Sequence, residues 1–347
     1  MKINPSDISV IVQGAVDKNL TPICLHSIRK ILPRAEIVLS TWDGTDVSGL
    51  DYDKLVLNKP VAAQRYSSYF DDKINNINRQ IVLTLVGLRA TTRKYAFKIR
   101  TDFLLNSADF LKYFDLYDKT NKKYKVFKHK ILSCTNFARN PRHDAYQYLF
   151  HPSDIAFFGL RSDLINLFDV PLMTKHEETY YKRNGFTHNR YVPEQYLWVN
   201  CLNKNGHKIH FNRFRAPSSK LTDDTEKYFV SNFIFLSWDQ FGLVPPKKFT
   251  DLANYRLYDY ISCITHSQYL ELYKKYLDSD IAVPYDNLHH NLKLLYARHR
   301  LCVFCARLSV LFLFAFPSMR RKLRTKIADG LFHKFLSKLW TEICREL

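Results

Sequence analysis

The chain has 347 residues, enough for one large α/β domain or one domain with an appendage, and its 46% apolar and 15% aromatic content supplies a sizeable core. A formal charge of +19 points to an acidic partner. The seven scattered cysteines, an odd number in a chain expected to carry no secretory leader, argue against a disulfide framework and for a reducing compartment.

The amino terminus runs directly into the strand-like DISVIVQG, so the mature protein is expected to begin where the sequence does. Residues 8–12 form a short β-branched strand, followed by a helix over 21–32 in which Leu25, Ile28, Ile31 and Leu32 share a face. Pro33 stops that helix, and 36–40, EIVLS, is the next strand, closed by the turn Asp43-Gly44-Thr45-Asp46. A longer helix over 76–91 sets Ile77, Ile81, Leu85 and Leu88 at helical spacing and leads into RKYAFKIRTDFLL, residues 93–105. This alternation with short connections predicts a parallel sheet covered by helices.

Residues 112–142 read as charged and irregular, 154–160 as a buried strand and 161–168 as a short helix. The polar, aromatic segment 174–190 has the composition of a mobile loop beside a site. A helix with Pro at its start is expected over 193–203 and a strand over 207–211, whereas 218–286, rich in Tyr and Asp, is mixed in pattern.

The positive charge is concentrated at one end. Residues 287–347 hold 12 Lys or Arg against 3 Asp or Glu, a net of +9. Within them lies the apolar run 301–316, LCVFCARLSVLFLFAF, about 24 Å long as a helix and so shorter than a bilayer core of about 30 Å. Arg307 interrupts it, and Arg298, Arg300, Arg320, Arg321, Lys322, Arg324 and Lys326 flank it. It reads as an interfacial anchor on an anionic membrane face, ahead of a buried terminal helix with a basic flank and of a true span. Cys302 and Cys305 form one C-x-x-C without a second pair, which reads as two small buried residues.

Asp102 closes the 93–105 strand, at the sheet edge where open α/β folds bind ligands. Alternation puts Phe97 and Ile99 on one face and Lys98, Arg100 and Asp102 on the other. A half-buried Asp paired with Arg100 or Lys98 fits the strand alone equally well.

The first half of the chain, laid end to end, strongly resembles the GT-A family of nucleotide-sugar-dependent glycosyltransferases. The resemblance is carried by ISVIVQGAV, CLHSIRKILPRAEIVLSTWDGTD, INNINRQIVLTLVGLRATTRKYAFKIRTDFLL, HPSDIAFFGLRSDLINLFDVP and VPEQYLWVNCLNKNGHKIHF. More narrowly, KIRTD, FFGLRSDL and PEQYLW resemble the WavE family of bacterial lipopolysaccharide-synthesis proteins. The resemblance covers roughly residues 7–212. Gln13 stands where the GT-A family usually has Pro, and Arg100 where its acid-x-acid motif has the first acid.

The resemblance implies a GT-A-like, Rossmann-related, mostly parallel sheet flanked by helices, to which the charge pattern adds a basic helical C-terminal appendage. The chain is expected to divide into a nucleotide-sugar and acceptor domain over 1–215, a mixed extension over 216–286 and, on the charge and apolar pattern above, membrane-associating helices over 287–347. The donor would seat on Gln13, Gly14, Asp43, Asn78, Arg79, Arg100 and Asp102. Because departure of the diphosphate builds negative charge, such a site needs a divalent cation or fixed positive charges. Asp102 would carry Mn2+ or Mg2+ with His210 as a further ligand, or Arg100 would meet the diphosphate directly. Asp43 suits the base or ribose as an acceptor, and equally an Asx turn on Gly44. Asn78 and Arg79 fit donor contacts or a solvated helix face, and His210 also fits a structural histidine.

In the resembling family an acid at the place of Glu194 is the general base for the acceptor hydroxyl; Glu194 equally fits a plain helix-start charge. The partners implied are a nucleotide-sugar donor, a lipid-linked or lipopolysaccharide acceptor and the anionic cytoplasmic face of the inner membrane. No nucleic acid is expected, since the basic excess flanks an apolar run instead of interleaving with aromatics. Three rivals stand beside transfer with inversion. A nucleotidyltransferase of related topology would need a Gly-rich phosphate loop, of which only Gly14 is present. The others are a basic membrane- or nucleic-acid-binding protein and a non-catalytic scaffold.

Overall fold

The computed structural model describes residues 3–62, 64–67, 72–142, 148–183, 186–213, 218–250 and 262–284. The expected basic helices of 287–347, with the apolar run and its C-x-x-C, lie outside the described residues. Cys24, Cys134, Cys201 and Cys263 are buried free thiols.

The strands, in chain order, are β1 (Ile8–Gln13), β2 (Glu36–Trp42), β3 (Lys54–Asn58), β4 (Gln64–Ser67), β5 (Asp72–Asn75), β6 (Tyr95–Arg100), β7 (Leu104–Leu105), β8 (Ile131–Cys134), β9 (Phe157–Leu160), β10 (Tyr181–Arg183), β11 (Phe186–His188), β12 (Phe233–Leu236) and β13 (Leu243–Val244). The helices are α1 (Leu20–Ile31), α2 (Ile77–Ala90), α3 (Arg161–Phe168), α4 (Lys175–Glu178), α5 (Pro193–Lys204), α6 (Ser219–Asn232), α7 (Trp238–Phe241) and α8 (His266–Tyr276).

Seven strands make one sheet in the order β12-β8-β9-β6-β1-β2-β3. All its pairings are parallel except those of β9, which runs against β6 and β8. Both faces are covered, so β1 and β6 read as near-continuous apolar runs. Adjacent residues of β9 show the two layers. Phe157 meets Phe168 of α3 on one face, with ring centroids 5.9 Å apart, while Phe158 meets Phe110 at 5.0 Å on the other. Phe110 in turn stacks on Phe241 of α7 at 5.4 Å.

The layer of α2, α3 and α5 packs tightly on the sheet. A Cβ on Gly87 of α2 would lie 2.7 Å from Ile11 Cγ2, closer than carbon atoms approach, so only glycine lets α2 settle on β1 and β2. The registers Gln13↔Ser40 and Gln13↔Arg100 then align the carboxyl ends of β1, β2 and β6.

Several expectations need correction. Residues 207–211 form no strand. The α5 helix ends on Gly206 in the left-handed region, and the side chain of Asn203 takes both polar groups of the Ile209 backbone, at 2.8 and 3.1 Å, in place of a ladder partner. The irregular stretch 112–142 contains β8, an inner strand of the sheet. The 174–190 segment holds α4, closed by a Thr174–Glu177 capping box, and the β10–β11 hairpin. From 216–286 come α6, β12, α7, β13 and α8, and β12 adds the seventh strand beside β8.

Candidate active site

The loops leaving β1 and β6 are tied together. Gln13 O accepts from Thr101 N at 3.2 Å, Thr101 Oγ1 donates to Ala15 O at 2.7 Å, and Gly14 N donates to Ser40 O at 3.2 Å. Gly14 has φ +139°, and a Cβ there would lie 2.8 Å from Thr101 Oγ1. Glycine at the end of β1 thus answers both a backbone conformation and a close approach.

Asp102 lies in the turn after β6, not within the strand. Its carboxylate is gripped by two cations. Arg100 donates from Nε to Oδ1 at 2.8 Å and from its terminal nitrogen to Oδ2 at 2.9 Å, and Lys248 Nζ reaches Oδ2 at 2.5 Å. Arg100 also lies over the Phe249 ring, 5.2 Å from its centroid. Burial pushes the Asp102 pKa up, but the hydrogen bonds and charges of Arg100 and Lys248 outweigh it and bring it down to about 2. Asp17 lies near enough to feel Asp102 and Lys248, with its Oδ1 accepting from Asn19 N and Leu20 N at the start of α1. Lys98 takes no part in this cluster. It is fully buried, its ammonium donating to the carbonyls of Asp154 and Ile155, and burial pulls its pKa down to about 7.

The other expected site residues have partners of their own. Asp43 is exposed and its Oδ1 accepts from the N–H of the next residue, Gly44, at 3.0 Å. Asn78 is buried and spans the Met173 backbone, donating to its carbonyl at 3.0 Å and accepting from its N–H at 2.7 Å, so its amide is committed to the fold. Arg79 donates to Val61 O at 2.9 Å. His210 is exposed, and its Nδ1 accepts from Arg190 at 2.6 Å.

A second polar group lies where β8 ends, β9 begins and α5 starts. Pro193 opens α5, and the next residue, Glu194, faces His151 with Nε2 3.3 Å from Oε2. Burial and the charge of Asp154 raise the Glu194 carboxyl well above the usual carboxylate range. Burial and Arg139 hold His151 well below its ordinary value, so a neutral imidazole faces Glu194 across 3.3 Å. His151 Nδ1 has no hydrogen-bond partner among the described residues, and neither polar atom of the Asn136 amide has one. Gln80 Nε2 donates to Asp154 Oδ2 at 2.9 Å and links this group to α2.

Sequence reasoning missed Lys248 and His151. Lys248 is 146 residues from Asp102 and follows the short β13, where PPKK looks like an ordinary basic turn. His151 sits in HPSD ahead of β9, a place that the antiparallel run of β9 carries back to the carboxyl edge.

A divalent cation was expected on Asp102 and His210. Magnesium and manganese take oxygen-rich sites. Here both carboxylate oxygens are taken by cations, His210 bonds Arg190, and no three His, Cys, Asp or Glu side chains converge among the described residues. Two unit charges 4 Å apart repel by roughly 4 kcal/mol at an effective dielectric near 20, and a dication doubles this against each of Arg100 and Lys248. The residues, as placed, do not make the donor set of such an ion.

A largely parallel sheet of this strand order, one strand reversed and polar loops gathered at its carboxyl edge, defines a GT-A-like, Rossmann-related α/β protein. A family model described as WavE lipopolysaccharide synthesis matches residues 8–301. The chain therefore belongs to the WavE family of lipopolysaccharide-synthesis proteins. The match extends past the 7–212 resemblance and takes in both β12 and Lys248. Among curated proteins none matches the chain. Among the described residues no helix is long and apolar enough to cross a membrane.

Proposed function

We propose that this protein is a glycosyltransferase that moves a sugar from a nucleotide-sugar donor to a lipopolysaccharide or related surface-glycan acceptor. The observation that carries the reading is the pairing of two groups at one sheet edge. A cation-bound Asp102 lies beside the β1 and β6 loops, and a raised-pKa Glu194 stands at the start of α5. The first suits a diphosphate and the second suits a hydroxyl that must lose its proton.

In the proposed reaction the acceptor oxygen attacks the anomeric carbon of the donor in line with the bond to the β-phosphate. A carbon–oxygen bond to the acceptor forms, the bond to the diphosphate breaks, and configuration inverts. The hydroxyl proton passes to the ionised Glu194 carboxylate, which lies 3.3 Å from His151 Nε2. Nucleoside diphosphate leaves with the bonding pair, its charge met by the cations of the edge. Gln13, Gly14 and Asp43 frame the nucleotide.

Work at the cytoplasmic face of the inner membrane, held by the 301–316 run and its basic flanks, belongs to the same proposal. Transfer assays with a panel of nucleotide sugars and membrane glycolipid acceptors test it. The expected result is release of a nucleoside diphosphate in step with a labelled glycolipid. Cleavage of a nucleoside triphosphate to pyrophosphate would instead establish the nucleotidyltransferase.

A further inference from the structure

We infer that the donor's diphosphate is bound without a metal ion, by a two-cation clamp of Arg100 and Lys248 that Asp102 holds in place. The inference rests on the proposed glycosyltransfer and names the part of the site that takes the leaving group.

Three observations carry it. First, Arg100 replaces a carboxylate with a guanidinium at the carboxyl end of β6, immediately beside the Gly14 loop that Thr101 ties to β1. A guanidinium presents a planar fork of donors that matches phosphate oxygens, while an ammonium acts as a compact point charge. Second, Lys248 arrives from beyond β13 to the same carboxylate, so two distant segments are brought together to place two cations about one anion. Asp102 and its two partners carry a net charge of +1, and Asp17 nearby is engaged by the N–H groups that open α1. Third, Phe249 lies against Arg100, and the ring of Phe103 is 5.8 Å from the same guanidinium, which fixes its plane. The Lys248 side chain is about half exposed, at 53%, and so is accessible from the solvent side to an entering anion.

In this arrangement Asp102 is a positioning residue. It orients the two cations toward one region, and an entering diphosphate takes over part of their hydrogen bonding. The leaving group's developing charge is then met by cations already in place.

The test is calorimetric titration of the full chain with uridine, guanosine and cytidine diphosphates and with inorganic pyrophosphate, first in EDTA and then with manganese chloride. The expected result is binding of at least one nucleoside diphosphate in EDTA, with the dissociation constant changed less than about twofold by manganese. Lys248→Gln and Arg100→Gln should each weaken that binding by about tenfold or more, and Lys248→Arg should restore it to within about threefold. Thermal melts of each variant check folding, and the comparison of EDTA with manganese on the natural chain needs no variant.

Binding that appears only with manganese overturns the clamp and leaves glycosyltransfer standing. Binding in EDTA that ignores both glutamine variants also overturns it. If no diphosphate binds with or without manganese, the clamp fails and the donor-site reading fails with it.

Discussion

Asp102 and Glu194 stand at the same edge of one sheet, and their surroundings drive them in opposite directions. Asp102 is nearly buried, yet two contacting cations hold its pKa down to about 2. Glu194 is desolvated beside another carboxylate, with a neutral histidine as its contact, and its carboxyl rises. The difference teaches that depth of burial alone does not set the charge of a carboxylate; the charge of what it touches does. It also divides the labour, since a permanently ionised group can order cations while a raised one can take up a proton near neutrality.

The largest effect should come from removing the proton acceptor. Glu194→Gln is expected to lower kcat/KM for transfer by about 10²–10⁴-fold while changing donor affinity little, as steady-state kinetics and donor titration would show. An equal loss of donor affinity would erase the division between the two carboxylates.

Next in size is the loop that borders the Asp102 side. Gly14→Ala forces a side chain into a φ of +139° and against Thr101, at a cost of about 1–3 kcal/mol in denaturant melts. It should weaken nucleotide binding and leave the pH dependence of turnover in place, because Glu194 lies in the other group.

Stability against pH separates the two groups by sign. Asp102 titrates at about 2 when folded, against about 3.9 unfolded, so the unfolded chain holds more protons in that window. Its contribution is present above pH 4 and is lost as pH falls toward 2; Asp102→Asn should flatten this part of an acid-unfolding curve. The raised carboxyl of Glu194 acts in reverse, contributing stability below its ordinary value of about 4.3 that is lost as pH rises through its folded value. Glu194→Gln should therefore remove the loss of stability that sets in as pH rises from about 4.3 toward the folded value.

The smallest effect concerns His151. His151→Leu replaces the polar group facing Glu194 with an apolar one, so the acid limb of the kcat/KM profile should move to higher pH, by about one unit or less. His151→Gln keeps an N–H donor and should leave the limb near its natural position. A limb that both variants leave unmoved would show that His151 does not act through Glu194.

Much of this frame is legible in the sequence. The strands β1, β2 and β6 and the helices α1, α2, α3 and α5 follow from local periodicity, because each buries a stripe or run long enough to stand out. Gly14, Asp43, Arg100, Asp102 and Glu194 fall at the ends of those elements and could be picked out with them. The four-residue β8 and β12 could not, since runs such as ILSC and FIFL are too short to distinguish an inner strand from a buried turn. Asn78 and His210 have the chemistry of ligand contacts, but packing puts them to other uses, on the Met173 backbone and on Arg190.

The sequence alone determined the alternation of strand and helix, the family texture and the residues that close each strand, because these depend on neighbours a few positions apart. Only the tertiary structure decided what those residues touch. Lys248 reaches Asp102 from 146 positions away, Lys98 turns to the carbonyls before β9 and His151 comes to face Glu194. Such pairings depend on which strands lie side by side in the sheet, and strand order is a property of the whole chain's packing.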